Sequence, residues 1–212
     1  MAIRAVIFDY GMVISNPPNP AAHERLIAIS GLSREKLDRH YWHYRNSYDL
    51  GMKGPEFWGK VAGDAGSAFT PAQIDALIEA DILMWTSVNE EMLAWATALQ
   101  RVGIRTGILS NMVWEILGHM RREFAWVADF YHNTWSCELG IVKPDPAIYL
   151  HACKGLGVSP SETLFLDDKA ENITSAEEVG LQAIQFTTIN QLRKDLALRG
   201  LQQDLPIPGA AL

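Results

Sequence analysis

The sequence predicts an α/β fold, a doubly wound and mostly parallel Rossmann-like sheet with an inserted α-helical domain. Three observations predict it. Short, near-continuous apolar runs recur along the chain, as in strands that are covered on both faces. Helical patterns alternate with the later runs, as in βαβ units. The interval between the first run and the second is too long for a simple crossover and carries helical patterns only.

The first strand is read at residues 3–8, an apolar run that stops at Asp9 and Gly11. Further strands are read at 104–109, at a run ending around 130–131, at 163–166 and at 182–186. Helical patterns fill 89–101, 113–124, 146–156 and 171–179. Gly103, Gly157 and Gly180 follow three of them, where a left-handed residue ends a helix. Residues 16–86 hold four more helical patterns, at 20–29, 34–49, 55–65 and 71–86. Pro55 and Pro71 suit the first turns of the last two. The expected division is therefore a core of 1–15 and 87–200, a helical insertion of 16–86, and an irregular tail of 201–212 containing Pro206, Pro208 and Gly209.

Composition narrows the function classes. The 212 residues carry a net charge of -7, and the pI is near 5.3. Basic residues are scattered, with only Arg121 and Arg122 adjacent. A duplex-binding face is basic, so nucleic acid is not the expected partner. No apolar run reaches the length of about 18 residues that a membrane helix needs. The N-terminal run lacks a small-residue cleavage site and meets Asp9 directly, unlike a signal peptide. Cys137 and Cys153 form neither a disulfide framework nor a metal-ligand spacing. A cytoplasmic protein is expected.

The chemistry-bearing residues fall at the carboxyl ends of the predicted strands, where open parallel sheets bind ligands. Asp9 follows Val6-Ile7-Phe8, Ser110-Asn111 follows Gly107-Ile108-Leu109, and Asp167-Asp168 follows Leu164-Phe165-Leu166. Lys143 lies in the loop Gly140-Ile141-Val142-Lys143-Pro144-Asp145, just before a helix. Crowded carboxylates repel unless a cation sits between them. All-oxygen donors suit Mg²⁺, which keeps waters and meets substrate phosphate. A carboxylate held this way can attack phosphorus. His40 and His43, three residues apart beside Trp42 and Tyr44, read as a solvated or cap-lining surface rather than a zinc pair. Trp42, Trp58, Trp85 and Trp95 read mainly as packing of the cap and its hinge.

Four segments in order resemble the motifs of the haloacid dehalogenase superfamily: FDYGMVIS, LSN, GIVKPDP and LFLDDKAEN. The resemblance runs from about residue 3 to residue 186. It implies that Asp9 is the nucleophile and that Ser110 and Lys143 bind the transferring group. It makes Asp9, the Gly11 carbonyl and Asp168 Mg²⁺ ligands, with Asp167 in the inner or outer shell of the ion, and Asn172 a buttress. Asn111, Gly11 and Met12 join Ser110 and Lys143 around the substrate. The helical insertion resembles the cap that follows motif I in the first subclass. In capped relatives a glycine-flanked loop reaches over the site, so Lys53, within Leu50-Gly51-Met52-Lys53-Gly54, reads either as a contact to the substrate's polar or anionic end or as an exposed lysine on a surface turn.

The resemblance implies a phosphatase of small phosphorylated metabolites working through an aspartyl-phosphate. Hydrolysis of a carbon–halogen bond through an aspartyl ester and non-catalytic phosphate binding are the alternatives. Most phosphatases of this family carry a second Asp two residues after the nucleophile, as general acid and base; this chain has Gly11 there. Without that acid, an activated ester such as a sugar 1-phosphate is the expected substrate.

Overall fold

The computed structural model describes residues 2–207. Its sheet has five parallel strands: β1 (Ala5–Phe8), β2 (Arg105–Ser110), β3 (His132–Trp135), β4 (Thr163–Asp167) and β5 (Gln182–Gln185). Their order is β3-β2-β1-β4-β5. Ten helices accompany them among the described residues: α1 (Pro20–Ser30), α2 (Arg34–Asp49), α3 (Gly54–Asp64), α4 (Pro71–Trp85), α5 (Glu90–Arg101), α6 (Trp114–Glu123), α7 (Ser136–Leu139), α8 (Pro146–Leu156), α9 (Ala170–Glu178) and α10 (Ile189–Leu198). The fold is the doubly wound α/β class that the alternating runs predict.

Strand periodicity explains why the runs are apolar throughout. Successive side chains point to opposite faces. Val6, Phe8, Ile108, Leu164, Leu166 and Ile184 enter one core, while Ala5, Ile7, Leu109, Phe165 and Ala183 enter another. On the first face α5 contributes the fully buried Trp95, whose ring meets Phe8 edge-on at 5.5 Å. On the second, α8 contributes Ile148, Tyr149, Ala152 and Leu156. Each large buried apolar side chain stabilises the fold by about 1.5–3 kcal/mol. Every position of β1 is therefore held from both sides, and its register is strongly determined.

That register sets the geometry of the site. Phe8 pairs with Ile108 on one side and Leu166 on the other. The Asp9 N–H continues the ladder, donating to the Leu166 carbonyl at 2.8 Å. The chain order reverses at β1, so Asp9 leaves the sheet at its switch point.

Two local expectations need correction. The third strand does not end at 130–131. Residues Ala125–Asp129 form a 3₁₀ turn and β3 starts at His132. Phe130 packs on Phe8 and Trp126 instead, so its apolar character marks a core contact rather than a strand. The C-terminal stretch is irregular after α10, yet Leu201, Leu205 and Ile207 are buried against the first core. Residues 208–212 of the expected tail, with Pro208 and Gly209, lie outside the described residues.

Helices α1–α4 leave the sheet together through one junction. Ser15 bridges Val88 in antiparallel fashion. Asn16 N–H donates to the Ser87 carbonyl at 2.7 Å, and Asn89 N–H to the Ile14 carbonyl at 2.8 Å. The helix starts are capped as their sequences suggest. Asn19 accepts from Ala21 N–H at 2.9 Å, and Thr70 with Gln73 forms a reciprocal capping box. Three contacts seat this block on the sheet domain: Tyr10 Oη to the Trp85 carbonyl at 3.0 Å, Ser136 Oγ to the Asp49 carbonyl at 2.6 Å, and Gly54 N–H to Glu115 Oε1 at 2.7 Å. No helix among the described residues is long and apolar enough to cross a membrane.

Candidate active site

The ends of β1, β2 and β4, the loop before α8 and the start of α9 bring Asp9, Ser110, Asn111, Lys143, Asp168 and Asn172 to one cavity of about 220 Å³. Gly11 and Met12 line it too, in the tight turn after β1, where Ser15 N–H reaches back to the Tyr10 carbonyl at 2.7 Å. Met12 has a left-handed φ of 61°, unusual for a residue with a side chain. Gly11 does not need to be glycine for backbone reasons. Its φ is -61°, and a Cβ there would meet nothing within 4 Å.

Lys143 is the hub. Its ammonium, 1% exposed, lies 2.8 Å from Asp9 Oδ1 and 2.6 Å from Asp167 Oδ2. It also donates to the Leu109 carbonyl at 3.1 Å. Asn111 holds the lysine's backbone. Its Nδ2 donates to the Lys143 carbonyl at 3.0 Å, and its Oδ1 accepts from Lys143 N–H at 2.8 Å. The Asn111 side chain is thus committed to positioning Lys143. A cis peptide bond joins Lys143 to Pro144.

The three acids are not equivalent. Asp167 is fully buried and its two oxygens are filled. Oδ1 accepts from Lys169 N–H at 2.8 Å and Asn172 Nδ2 at 2.9 Å. Oδ2 accepts from Lys143 Nζ at 2.6 Å and Asn172 Nδ2 at 3.0 Å. Asp9 Oδ1 accepts from Tyr10 N–H at 2.7 Å as well as from Lys143. Its other oxygen has no protein donor among the described residues. Asp168 is half-buried and faces the cavity.

Electrostatics follow from this crowding. Burial pushes the Asp9 carboxyl up to about 7; Lys143 pulls it down, while Asp167 and then Asp168 push it up. Burial opposes the Lys143 ammonium, but Asp167 and Asp9 outweigh it and hold its pKa above the ordinary lysine value. Burial and Asp167 together raise Asp168. With all three acids ionised, one ammonium leaves an excess of two negative charges.

That excess, and the donor set, fit a hard divalent cation. One oxygen from each of Asp9, Asp167 and Asp168 lies within 4.8 Å of the others, the only such group of acids, histidines or cysteines among the described residues. Asp167 is spent on protein donors, which leaves Asp9 and Asp168 as the open carboxylates. One or two carboxylates plus water and phosphate is the usual Mg²⁺ arrangement.

Lys53 does not join them. It is exposed, does not line the cavity, and its ammonium sits 3.9 Å over the Trp114 ring. The turn at 50–54 that carries it packs against α6 and α7, since Gly51 lies against Trp114 and Cys137. The helical block contributes Trp42, Arg45, Asp49 and Trp85 to the cavity. Arg45 and Asp49 are absent from the motif-based set. Their only sequence signal is an i,i+4 spacing near the end of a helix. Trp58 and Trp95 are fully buried, while Trp42 and Trp85 form cavity wall.

A parallel sheet with Asp, Ser and Asp-Asp at its strand ends, and a buried Lys from the loop before α8 between two of those acids, defines a hydrolase class. The chain belongs to the haloacid dehalogenase-like hydrolases, a family it matches over residues 3–180. It is similar to bifunctional epoxide hydrolase 2 of mouse, 26% identical over 235 residues covering 98% of this chain and 41% of that one. The rat counterpart is 32% identical over 133 residues, 58% of this chain and 24% of that one. The chain therefore spans well under half the length of these two relatives. It is also 25% identical to a phosphatase of Mycobacterium tuberculosis, over 100% of this chain and 98% of that protein. Among solved structures, a haloacid dehalogenase family enzyme of Bacteroides thetaiotaomicron superposes with a TM-score of 0.75 at 20% identity, covering 92% of this chain and 99% of that one. That enzyme has also been solved in complex with magnesium and inorganic phosphate.

Proposed function

We propose that this hydrolase is a Mg²⁺-dependent phosphatase of small phosphorylated metabolites, with Asp9 as nucleophile. The observation that carries the reading is the state of Asp9. One oxygen is fixed by Tyr10 N–H and Lys143, the other has no protein donor among the described residues, and Asp9 lines the cavity. A carboxylate so held is oriented for in-line attack on a phosphorus atom bound in the cavity. The likeness to a mycobacterial phosphatase over the full length of both chains supports the same reaction class.

In this reading Asp9, Asp168 and the Gly11 carbonyl hold the Mg²⁺, and Asp167 acts through Lys143 rather than as a ligand. The cation would offset the negative charge of acids and phosphate together. Ser110 and the backbone amides of Asn111 and Gly11 would donate to the phosphate oxygens, while the amides of Met12 and Met112 are held by Ser15 Oγ and Ser136 Oγ. Lys143 neutralises charge on the transferring group while holding Asp9 still. Asn172 and Asn111 keep Asp167 and Lys143 in register. Residues 16–86 act as a cap, whose Trp42, Arg45, Asp49 and Trp85 face the rest of the substrate. Sugar 1-phosphates are the first candidates on the strength of Gly11.

The test is phosphate release from a panel of sugar phosphates and aryl phosphates, with Mg²⁺ and with a chelator. Turnover is expected only with the metal, and Asp9→Asn should remove it while circular dichroism stays that of the parent. Turnover by Asp9→Asn would overturn the nucleophile assignment. Halide release from 2-haloacids without Mg²⁺, and no phosphate release, would overturn the phosphatase reading.

A further inference from the structure

Phosphoryl transfer from an ordinary alcohol leaves an alkoxide that needs a proton, and position 11 holds no acid. Few groups on the cavity wall can give a proton and take one back. Lys143 directs its protons at Asp9, Asp167 and the Leu109 carbonyl. The Tyr10 hydroxyl donates to the Trp85 carbonyl. Asn111 and Asn172 are amides with committed side chains. Arg45 is too basic to release a proton. Asp9 and Asp168 have roles already, and Lys169 is exposed beside Asp168. Asp49 remains.

We infer that Asp49, the last residue of α2, is the general acid that protonates the leaving oxygen and the base that then activates water. The inference rests on the phosphatase reading above. Three structural facts carry it. First, Asp49 lines the same cavity as Asp9, from the helical block. Second, its position is anchored to the sheet domain. Ser136 Oγ donates to the Asp49 carbonyl at 2.6 Å and accepts from Met112 N–H at 2.8 Å, two residues beyond Ser110. Third, one carboxyl oxygen is held by Arg45 Nε at 2.9 Å, which leaves the other for substrate.

The surroundings favour the protonated form. Burial raises the Asp49 carboxyl above its ordinary value, outweighing Arg45 on the same helix and the more distant Lys169 and Lys143 of the sheet domain. Asp81, on α4, adds negative charge nearby. The end of a helix also carries partial negative charge from its last carbonyls, which disfavours a carboxylate.

The steps balance. As an Asp9 oxygen bonds to phosphorus, the bond from phosphorus to the leaving oxygen breaks and the Asp49 proton moves to that oxygen. Water then attacks the aspartyl-phosphate, its proton goes to Asp49, and the bond between Asp9 and phosphorus breaks. The sugar 1-phosphate expectation assumes that no acid reaches the leaving oxygen. Asp49 removes that assumption and opens ordinary alkyl phosphates to the enzyme.

The test is the dependence of kcat/KM on leaving-group pKa, measured with Mg²⁺ on substituted phenyl phosphates and one alkyl phosphate. kcat/KM reports events up to leaving-group departure, the step that needs the acid. The wild type should show a shallow slope. Asp49→Asn should fall about 10²- to 10⁴-fold on the alkyl ester and far less on the most acidic phenol, so that its slope steepens. Adding Gly11→Asp to Asp49→Asn should restore part of the alkyl activity, since a Cβ at 11 has free space. A steep slope in the wild type would overturn the assignment whether or not Asp49→Asn folds. Equal losses across the series would also overturn it, by making Asp49 merely structural. No turnover of any phosphate by the wild type would instead overturn the phosphatase reading itself.

Discussion

Replacing Lys143 by methionine removes the positive centre of the site's buried charge cluster. Methionine keeps most of the stem and deletes the ammonium that lies within 2.8 Å of Asp9 and 2.6 Å of Asp167. Both carboxylates are almost wholly buried, with side-chain exposures of 10% and 0%. Removing one member of a buried ion pair costs about 3–5 kcal/mol, because the charge left behind has no water to replace its partner. For a protein of this size that corresponds to a fall in Tm of roughly 6–20 °C. The cost must depend on pH. Without Lys143 the folded-state pKa of Asp9 rises further above its unfolded value, because Lys143 is what pulls it down. A raised acid binds more protons folded than unfolded, so stability falls as pH rises through the interval between the two values. Each proton so linked contributes up to about 1.4 kcal/mol per pH unit. Because Asp9 already lies at about 7 with Lys143 present, the deficit of Lys143→Met should widen above pH 7 and be larger at pH 8 than at pH 5 by up to about 1.4 kcal/mol. Urea unfolding of the chelator-treated proteins, followed by tryptophan fluorescence, measures it, provided the m-values agree. Adding Mg²⁺ at pH 8 should recover part of the loss. A deficit under about 1 kcal/mol at both pH values, or one larger at pH 5, would refute the reasoning.

Two further outcomes follow from the helical block. Asp81 is 1% exposed, accepts from Tyr41 Oη at 2.8 Å through one oxygen, and has no partner for the other. Burial, the largest cause, pushes its carboxyl up to about 6 against the pull of Arg45 and the Tyr41 hydrogen bond. Stability should therefore fall by about 3 kcal/mol between pH 4 and pH 6.5, and Asp81→Asn should flatten that fall in a denaturation series; an unchanged profile would place the titration elsewhere. Lys53→Ala should cost about 0.5–1 kcal/mol of stability from the lost Trp114 contact. It should leave KM within twofold of the parent, and a several-fold rise would return Lys53 to the site.

What can be read from the sequence divides along the sheet. The ends of β1, β2 and β4 are legible because both faces of those strands are buried, which fixes register and hence which residue emerges at each tip. β3 is not, because His132-Asn133-Thr134-Trp135 is an edge strand with little apolar signal. The pair Asp167-Asp168 is legible as acids but not as roles. Asp167 is the last residue of β4 and turns inward to Lys143 and Asn172, while Asp168 lies beyond the strand and faces the cavity.

The helical block obeys a different rule. Its helices are predicted by periodicity and caps, yet the sequence does not reveal which face meets the site. That depends on how the junction at Ser15 and Val88 and the contacts of Tyr10, Ser136 and Gly54 seat the block. In α2 only Leu37, Tyr41, Tyr48 and Asp49 are buried, so an acid ends a helix in an apolar setting with Arg45 one turn behind it. Along the chain, Lys53 in its glycine-flanked turn is the better candidate, because flexible exposed loops often carry function. The distances reverse that choice. Lys53 lies over Trp114, whereas Asp49 is tied through Ser136 to Met112 in the loop that follows Ser110. Gly11 then becomes informative in a way the motif alone does not supply. Its backbone would accept a side chain and the space beside it is open, so no steric reason excludes an acid from that position. A site with room for an acid in its own turn, and a buried carboxyl presented from the opposite wall, has moved the proton source across the cavity rather than done without one.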